Sequence, residues 1–111
     1  SRSEVDANKS NRGTNEGSKL AGRADLWNDG GLENNTAFDE SGFTALPNGY
    51  RYGSNGQFGG LGHLAYFWSA TKSPTNNACA WIRDLAYNYS VVYRNEGYWK
   101  NGYGVRLVRD Y

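Results

Sequence analysis

Few side chains in this chain of 111 residues are equipped for covalent chemistry. It has one histidine, His63, and one cysteine, Cys79. His63 stands in Gly60-Leu61-Gly62-His63-Leu64, without the strand–turn–helix context of a serine nucleophile, and reads as a loop histidine. Cys79 has no mate for an internal disulfide, and with His63 it supplies too few ligands for a zinc cluster. Beside Ala78, Ala80 and Trp81 it reads as a small buried apolar residue. Asp25, Asp29, Glu33, Asp39 and Glu40 offer carboxylates, but their spacing selects no pair for glycoside hydrolysis. An enzyme is therefore not expected. What the residues do offer is recognition. From Trp81 to Tyr111 the chain is dominated by Tyr, Trp, Asn and Arg. Rings with polar tips give large contact area at low entropy cost. Their faces suit the C–H faces of sugars while amides bond to hydroxyls, and they suit a protein epitope equally. The expected ligand-binding residues are Tyr87, Tyr89, Tyr93, Asn95, Tyr98, Trp99 and Asn101, whereas Trp68, Trp81 and Tyr103 are expected in the core.

The elements that must position these groups have to come from a small core. Hydrophobic residues make up 38%, below the usual ~45–50%, and mean hydropathy is −0.81. Nine Tyr and four Trp must supply much of the core volume. With 15 Gly and 2 Pro, tight turns and loops are expected rather than long helices. A net charge of +1 gives no basic footprint for nucleic acid. No apolar run approaches the ~20 residues that span a bilayer.

Residues 1–24 are polar and read as a surface lead-in, with a helical turn around Glu16 to Ala21. Residues 25–111 form the domain proper. Within it, residues 25–65 form an irregular layer with turn signals at Asp29-Gly30-Gly31, Asn48-Gly49, Gly53-Ser54-Asn55-Gly56 and Gly59-Gly60. Single anchors stand between the turns: Trp27, Leu32, Phe38, Phe43, Leu46, Tyr50 and Phe58. Residues 66–111 form an antiparallel sheet. Strands are expected over Tyr66–Thr71, Ala80–Leu85, Ser90–Arg94 and Tyr103–Arg109, with a turn at Asn95-Glu96-Gly97 that puts the neighbouring rings at a hairpin tip. Alternation carried past Leu85 would place Tyr87 and Tyr89 on one face. Arg106 and Arg109 are expected to pair with Asp84, Asp110 or loop carbonyls, and Arg51 to tie the loop layer to the sheet. The fold class is α+β, mostly antiparallel β with long irregular loops.

Four ordered motifs resemble the Fibrobacter succinogenes major paralogous domain, a family widespread in secreted and surface proteins of gut Bacteroidetes. Ser41-Gly42-Phe43-Thr44-Ala45-Leu46-Pro47-Asn48-Gly49-Tyr50-Arg51 resembles its "GF-ALPGGYR" signature, and Phe67-Trp68-Ser69-Ala70-Thr71 its "YWSST" strand. Arg94 falls where the family carries a Ser-Arg or Tyr-Arg pair, and Tyr103-Gly104-Val105-Arg106-Leu107-Val108-Arg109-Asp110 resembles its terminal "YGFSVRCVRD". Upstream, Gly17-Ser18-Lys19-Leu20 and Trp27 resemble its "G-KLK…W" approach. The likeness covers roughly residues 13–111. It implies a C-type-lectin-like fold, shared with formylglycine-generating enzymes, whose first strand–helix segment ("GWRLPT…EW") is lacking or replaced here. That segment lies in a longer parent, or residues 1–20 compensate, or a partner covers the edge at Val105–Arg109. Leu107 stands where many relatives carry Cys.

The resemblance implies an extracellular or cell-surface adhesin-like domain that recognises a glycan or a protein, without a cofactor. Calcium is the one ion to weigh, because lectins of this fold use it. Trp27-Asn28-Asp29 spells their WND triplet and Leu46-Pro47-Asn48 half of their Glu-Pro-Asn motif, but WND stands early and Leu46 cannot ligate an ion that takes about six to eight oxygens. Asn28-Asp29-Gly30 reads as a turn. Two alternatives accompany the leading reading. One is a tip or spacer subunit of a surface fibre, a homo-oligomer or fibre neighbour joined by strand-edge pairing. The other is the variable protein of a diversity-generating retroelement, whose adenine-directed changes suit the Asn, Tyr and Ser density at Asn88, Tyr89, Ser90, Tyr93, Asn95, Tyr98 and Asn101.

Overall fold

The β-branched and aromatic runs of the second half pair into one antiparallel sheet. The computed structural model describes residues 9–107. Among them are strands β1 (Ser10–Arg12), β2 (Tyr50–Arg51), β3 (Phe58–Gly59), β4 (Leu64–Lys72), β5 (Cys79–Ala86) and β6 (Val92–Tyr98), the helix α1 (Glu16–Leu20) and a 3-10 turn (Ala24–Leu26). The sheet order is β1-β6-β5-β4, and β2 pairs with β3 beside it. The architecture is mostly antiparallel β with little helix.

Register fixes what each face carries. Arg83 on β5 lies between Phe67 on β4 and Arg94 on β6, while Asp84 lies between Tyr66 and Tyr93. Side chains alternate across a strand. One face therefore presents Ala65, Phe67, Trp81, Arg83, Leu85, Val92 and Arg94, and the other Tyr66, Trp68, Ile82, Asp84, Tyr93 and Asn95. The loop layer covers the first face. Trp27, Leu32 and Ala45 are buried there against Ala65, Leu85 and Val92, with Leu20, Phe38, Phe43 and Tyr87 packed around them. The Trp27 indole N–H donates to the carbonyls of Gly22 (3.1 Å) and Ala45 (3.3 Å), so the ring is buried with its polar atom paired. Phe58 does not anchor the layer: it is 82% exposed, with the Arg51 guanidinium 5.5 Å from its ring centroid.

Three sequence expectations differ from the structure. The described part of residues 1–24 is built into the fold. β1 pairs with β6, and α1 buries Gly17 and Ser18. Ser18 donates its amide to Ser90 O (3.1 Å) and its hydroxyl to Leu32 O (2.7 Å). A Cβ on Gly17 would stand 2.3 Å from Val91 O. This segment docks through small residues and hydrogen bonds rather than large apolar groups, which is why its composition reads as unordered.

The chain does not turn at Asn95-Glu96-Gly97. β6 runs through it to Tyr98, and Gly97 pairs with Ala80. Gly97 is needed for space: a Cβ there would lie 2.5 Å from the Tyr103 ring and 3.0 Å from Ile82. The turn comes at Trp99–Lys100, closed by Asn101 N–H to Tyr98 O (2.9 Å).

The last expected strand is reduced to bridges. Gly102 bridges Arg51, and Gly104 bridges Phe67 in parallel at the outer edge of β4, while Val105, Arg106 and Leu107 are unpaired and exposed. Val108 and Arg109 lie outside the described residues. Arg106 does not reach Asp84; its guanidinium sits 4.1 Å over the Phe43 ring. Arg51 closes its own loop by donating from Nε to Gly56 O (3.2 Å), while its backbone exchanges hydrogen bonds with Gly102.

Candidate functional site

The structure divides the seven expected site residues among three places. Tyr98, Trp99 and Asn101 stand at the β6 turn. Tyr89, Tyr93 and Asn95 stand on the sheet face away from the core. Tyr87 belongs to neither group. β5 ends at Ala86, so alternation does not continue, and Tyr87-Asn88 is a turn. The Tyr87 ring packs at the core edge-on to His63, with centroids 5.2 Å apart, and its carbonyl accepts the Leu32 amide (2.9 Å).

The β6 turn and the loop Tyr52–Ser54 form the walls of a cleft of about 740 Å³. Tyr98 is 59% and Trp99 51% exposed, and Tyr52 faces them across the cleft. Asn101 joins the walls: its Oδ1 accepts the Gly53 amide (3.0 Å) while its Nδ2 donates to the Tyr103 hydroxyl (2.9 Å). Trp99 N–H donates to Ala78 O (2.9 Å), which fixes the base of the turn. The Lys72 ammonium lies 5.5 Å from the Trp99 ring centroid. The walls meet at Gly53, where a Cβ would be 2.3 Å from Lys100 O. The cleft thus pairs two solvent-facing rings with a fixed amide, Ser54 and Lys100, a set that suits stacking plus hydrogen bonding.

The second recess, about 380 Å³, lies on the open face of the sheet. Its floor is Asp84, held by register between Tyr66 and Tyr93, and its rim is Asn11, Tyr89, Val91 and Asn95. Asp84 is only 8% exposed, and among the described residues no hydrogen bond or ion pair reaches its carboxylate. Burial pushes its pKa up to about 7. Tyr66 is pushed up to about 12, first by burial and then by the Asp84 charge. Tyr66 stacks on Tyr50 (5.6 Å) and meets Tyr103 edge-on (5.1 Å), so the wall of the recess is rigid. Among the described residues no second carboxylate, His, Cys or Lys lines it. The sequence carried a signal for this site: an Asp inside Ala80-Trp81-Ile82-Arg83-Asp84-Leu85-Ala86 interrupts a buried strand. What was missing was its neighbours, which come from other strands.

The polar side chains of the Trp27-Asn28-Asp29 triplet bond to neighbours within the chain. Trp27 is core, and Asn28 Nδ2 lies 2.9 Å from His63 Nε2. Asp29 accepts from Asn34 Nδ2 (2.7 Å) and faces Glu33, whose pKa is raised first by burial and then by Asp29. Among the described residues no three of His, Cys, Asp and Glu are grouped to hold a metal ion. Cys79 is buried, and burial pushes its thiol pKa up, the opposite of an activated nucleophile. No described helix is long and apolar enough to cross a membrane.

Among known families, the model of the Fibrobacter succinogenes major domain matches residues 1–109, beginning earlier than the motifs near residue 13 suggest. Neither a curated protein nor a solved structure matches the chain.

Proposed function

We propose that this chain, which belongs to the Fibrobacter succinogenes major domain family, is a ligand-binding domain that recognises a glycan or protein outside the cell or on its surface. In this reading the fold is a C-type-lectin-like one in which β1 replaces a longer first strand. The observation that carries the reading is the cleft at the β6 turn. Tyr98 and Trp99 turn their rings to solvent in a domain short of apolar residues, where burial would be the default use of a ring. The backbone that carries the rings is held by hydrogen bonds at the turn and by Asn101 across to Gly53, so little backbone entropy is lost when a ligand stacks on them.

A glycan array probed with the purified domain, with calcium and again with EDTA, tests this. Each stacked ring contributes about 1 kcal/mol or more, so Tyr98→Ala/Trp99→Ala is expected to reduce retention at least ~tenfold. Because Asp29 accepts from Asn34 and the described residues bring no three metal-ligating side chains together, EDTA is expected to change nothing. A double variant that binds as well as the parent would refute the site. Silence of the array toward the parent domain would turn the search to a protein ligand.

Strand-edge assembly is a second reading, favoured by Val105 and Leu107. Both are exposed where the chain leaves the Gly104 bridge beside β4. On that reading the domain sediments as a dimer or larger, and Val105→Lys/Leu107→Lys as a monomer. A parent domain that stays monomeric at all concentrations removes it.

A further inference from the structure

We propose that the Asp84 recess is a receptor for an organic ammonium group, of the kind carried by a lysine side chain or an amino sugar. Its floor is Asp84, a residue only 8% exposed, whose carboxylate no described side chain or backbone group bonds. A buried carboxylate without a partner is costly, and the structure does not relieve that cost from within. The Asp84 oxygens open into the recess, where water gives partial relief and a proton or a cation gives more. Among the described residues no Lys, Arg or His lines the recess. Calcium does not fit, because one carboxylate and two amides fall short of its oxygen count.

The walls select the kind of cation. Tyr66, Tyr89 and Tyr93 surround the carboxylate, and a ring face attracts an alkylammonium that has shed its water. Asn11 and Asn95 add amide groups at the rim that could accept the remaining N–H bonds. A volume of about 380 Å³ admits the end of a side chain or one sugar ring rather than a bare ion. Along β6, Tyr93 and Tyr98 are separated by about 16 Å, so this recess and the cleft at the turn are separate sites.

The pH dependence follows. The titratable groups facing Asp84 are the phenols of Tyr66 on β4, Tyr93 on β6, Tyr89 after β5 and Tyr103, which crosses beside them. Asp84 therefore governs the neutral range. Above about pH 7 the carboxylate is charged and holds the ammonium; below it a proton takes the ammonium's place.

Calorimetric titration and amide-shift mapping with two probes test the proposal: Nα-acetyl-lysine amide and glucosamine. Their charge-cancelled partners, Nα,Nε-diacetyl-lysine amide and N-acetylglucosamine, serve as comparisons. At about pH 7.5, where glucosamine is still largely protonated and Asp84 largely ionised, at least one amine is expected to bind, shifting the amides of Asp84, Tyr93 and Asn95. Which of the two binds distinguishes a protein source from a glycan source. Affinity should fall at least ~tenfold at about pH 5.5, with the acetylated partner, and in Asp84→Asn. The proposal is overturned if neither amine binds, if the acetylated probes bind as well as the amines, or if Asp84→Asn keeps the affinity. The acetylated comparison is made on the parent protein and so does not depend on how the variant folds.

Discussion

At about pH 8, Asp84→Asn is expected to raise the free energy of unfolding by ~2–4 kcal/mol. The folded protein holds the Asp84 proton up to about pH 7, whereas an unfolded Asp releases it near ~3.9. Between those values the folded state binds more protons than the unfolded one, so rising pH costs stability across this window. Below about pH 4 both states are protonated and nothing is lost. Above about pH 7 the full penalty is present, about 4 kcal/mol at ~1.4 kcal/mol per unit. Water entering the recess, and the hydrogen-bond needs of the new amide, reduce the gain toward the lower figure. Denaturant titrations of both proteins at about pH 8 and pH 4 check this. The stability difference should appear at the higher pH and vanish at the lower. Loss of stability in the variant at pH 8 would show that the carboxylate has an internal partner. A group that weakens the fold while waiting for a ligand exchanges stability for function, so the more stable variant should be the one that fails to bind the amine.

Gly49→Ala is expected to cost ~3 kcal/mol, with a fall in Tm of more than ~10 °C. Gly49 has φ +69°, a conformation that an L-residue adopts at a cost of about 1 kcal/mol. Its missing Cβ would lie 2.0 Å from Gly59 O and 2.9 Å from Gly60 C and Leu61 N. All three are backbone atoms, so no rotamer change can make room. Gly49 also donates to Leu64 O (2.8 Å) at the start of β4, and the displacement would propagate into the sheet. Gly42→Ala is the matched comparison: φ is +73°, but nothing lies within 4 Å of the added carbon. It should lose only the conformational cost, about 1 kcal/mol. Equal losses at the two glycines would mean that crowding at Gly49 contributes nothing.

The contrast between these glycines shows what the sequence displays and what it hides. The β-rich runs at 66–71 and 80–85 are legible because alternation is a local property, and they appear inside β4 and β5. Trp27, Leu32 and Phe43 are legible as anchors because isolated rings and Leu among turn residues have few uses besides burial. Gly97 is illegible. Glycine marks a turn or a close approach equally well, and only the Tyr103 ring that crosses over it decides. The helical turn at α1 is legible, but its docking is hidden for a related reason: Gly17 and Ser18 dock by being small. The exposure of Tyr89, Tyr98 and Trp99 is legible in the aromatic stretch, but its division into a cleft at the turn and a recess around Asp84 is not. The division depends on where β5 and β6 end, and on strand partners distant in sequence. Tyr87 was assigned to the surface by carrying an alternation past the end of its strand.

The most direct test of ligand binding at the β6 turn is to map amide shifts while an isotope-labelled domain is titrated with the glycans or proteins it retains in screening. Shifts are expected to concentrate at Tyr52, Gly53, Ser54 and Tyr98 to Asn101, and to disappear in Tyr98→Ala/Trp99→Ala. Shifts that leave those residues unmoved, for every retained ligand, would contradict binding at the β6 turn.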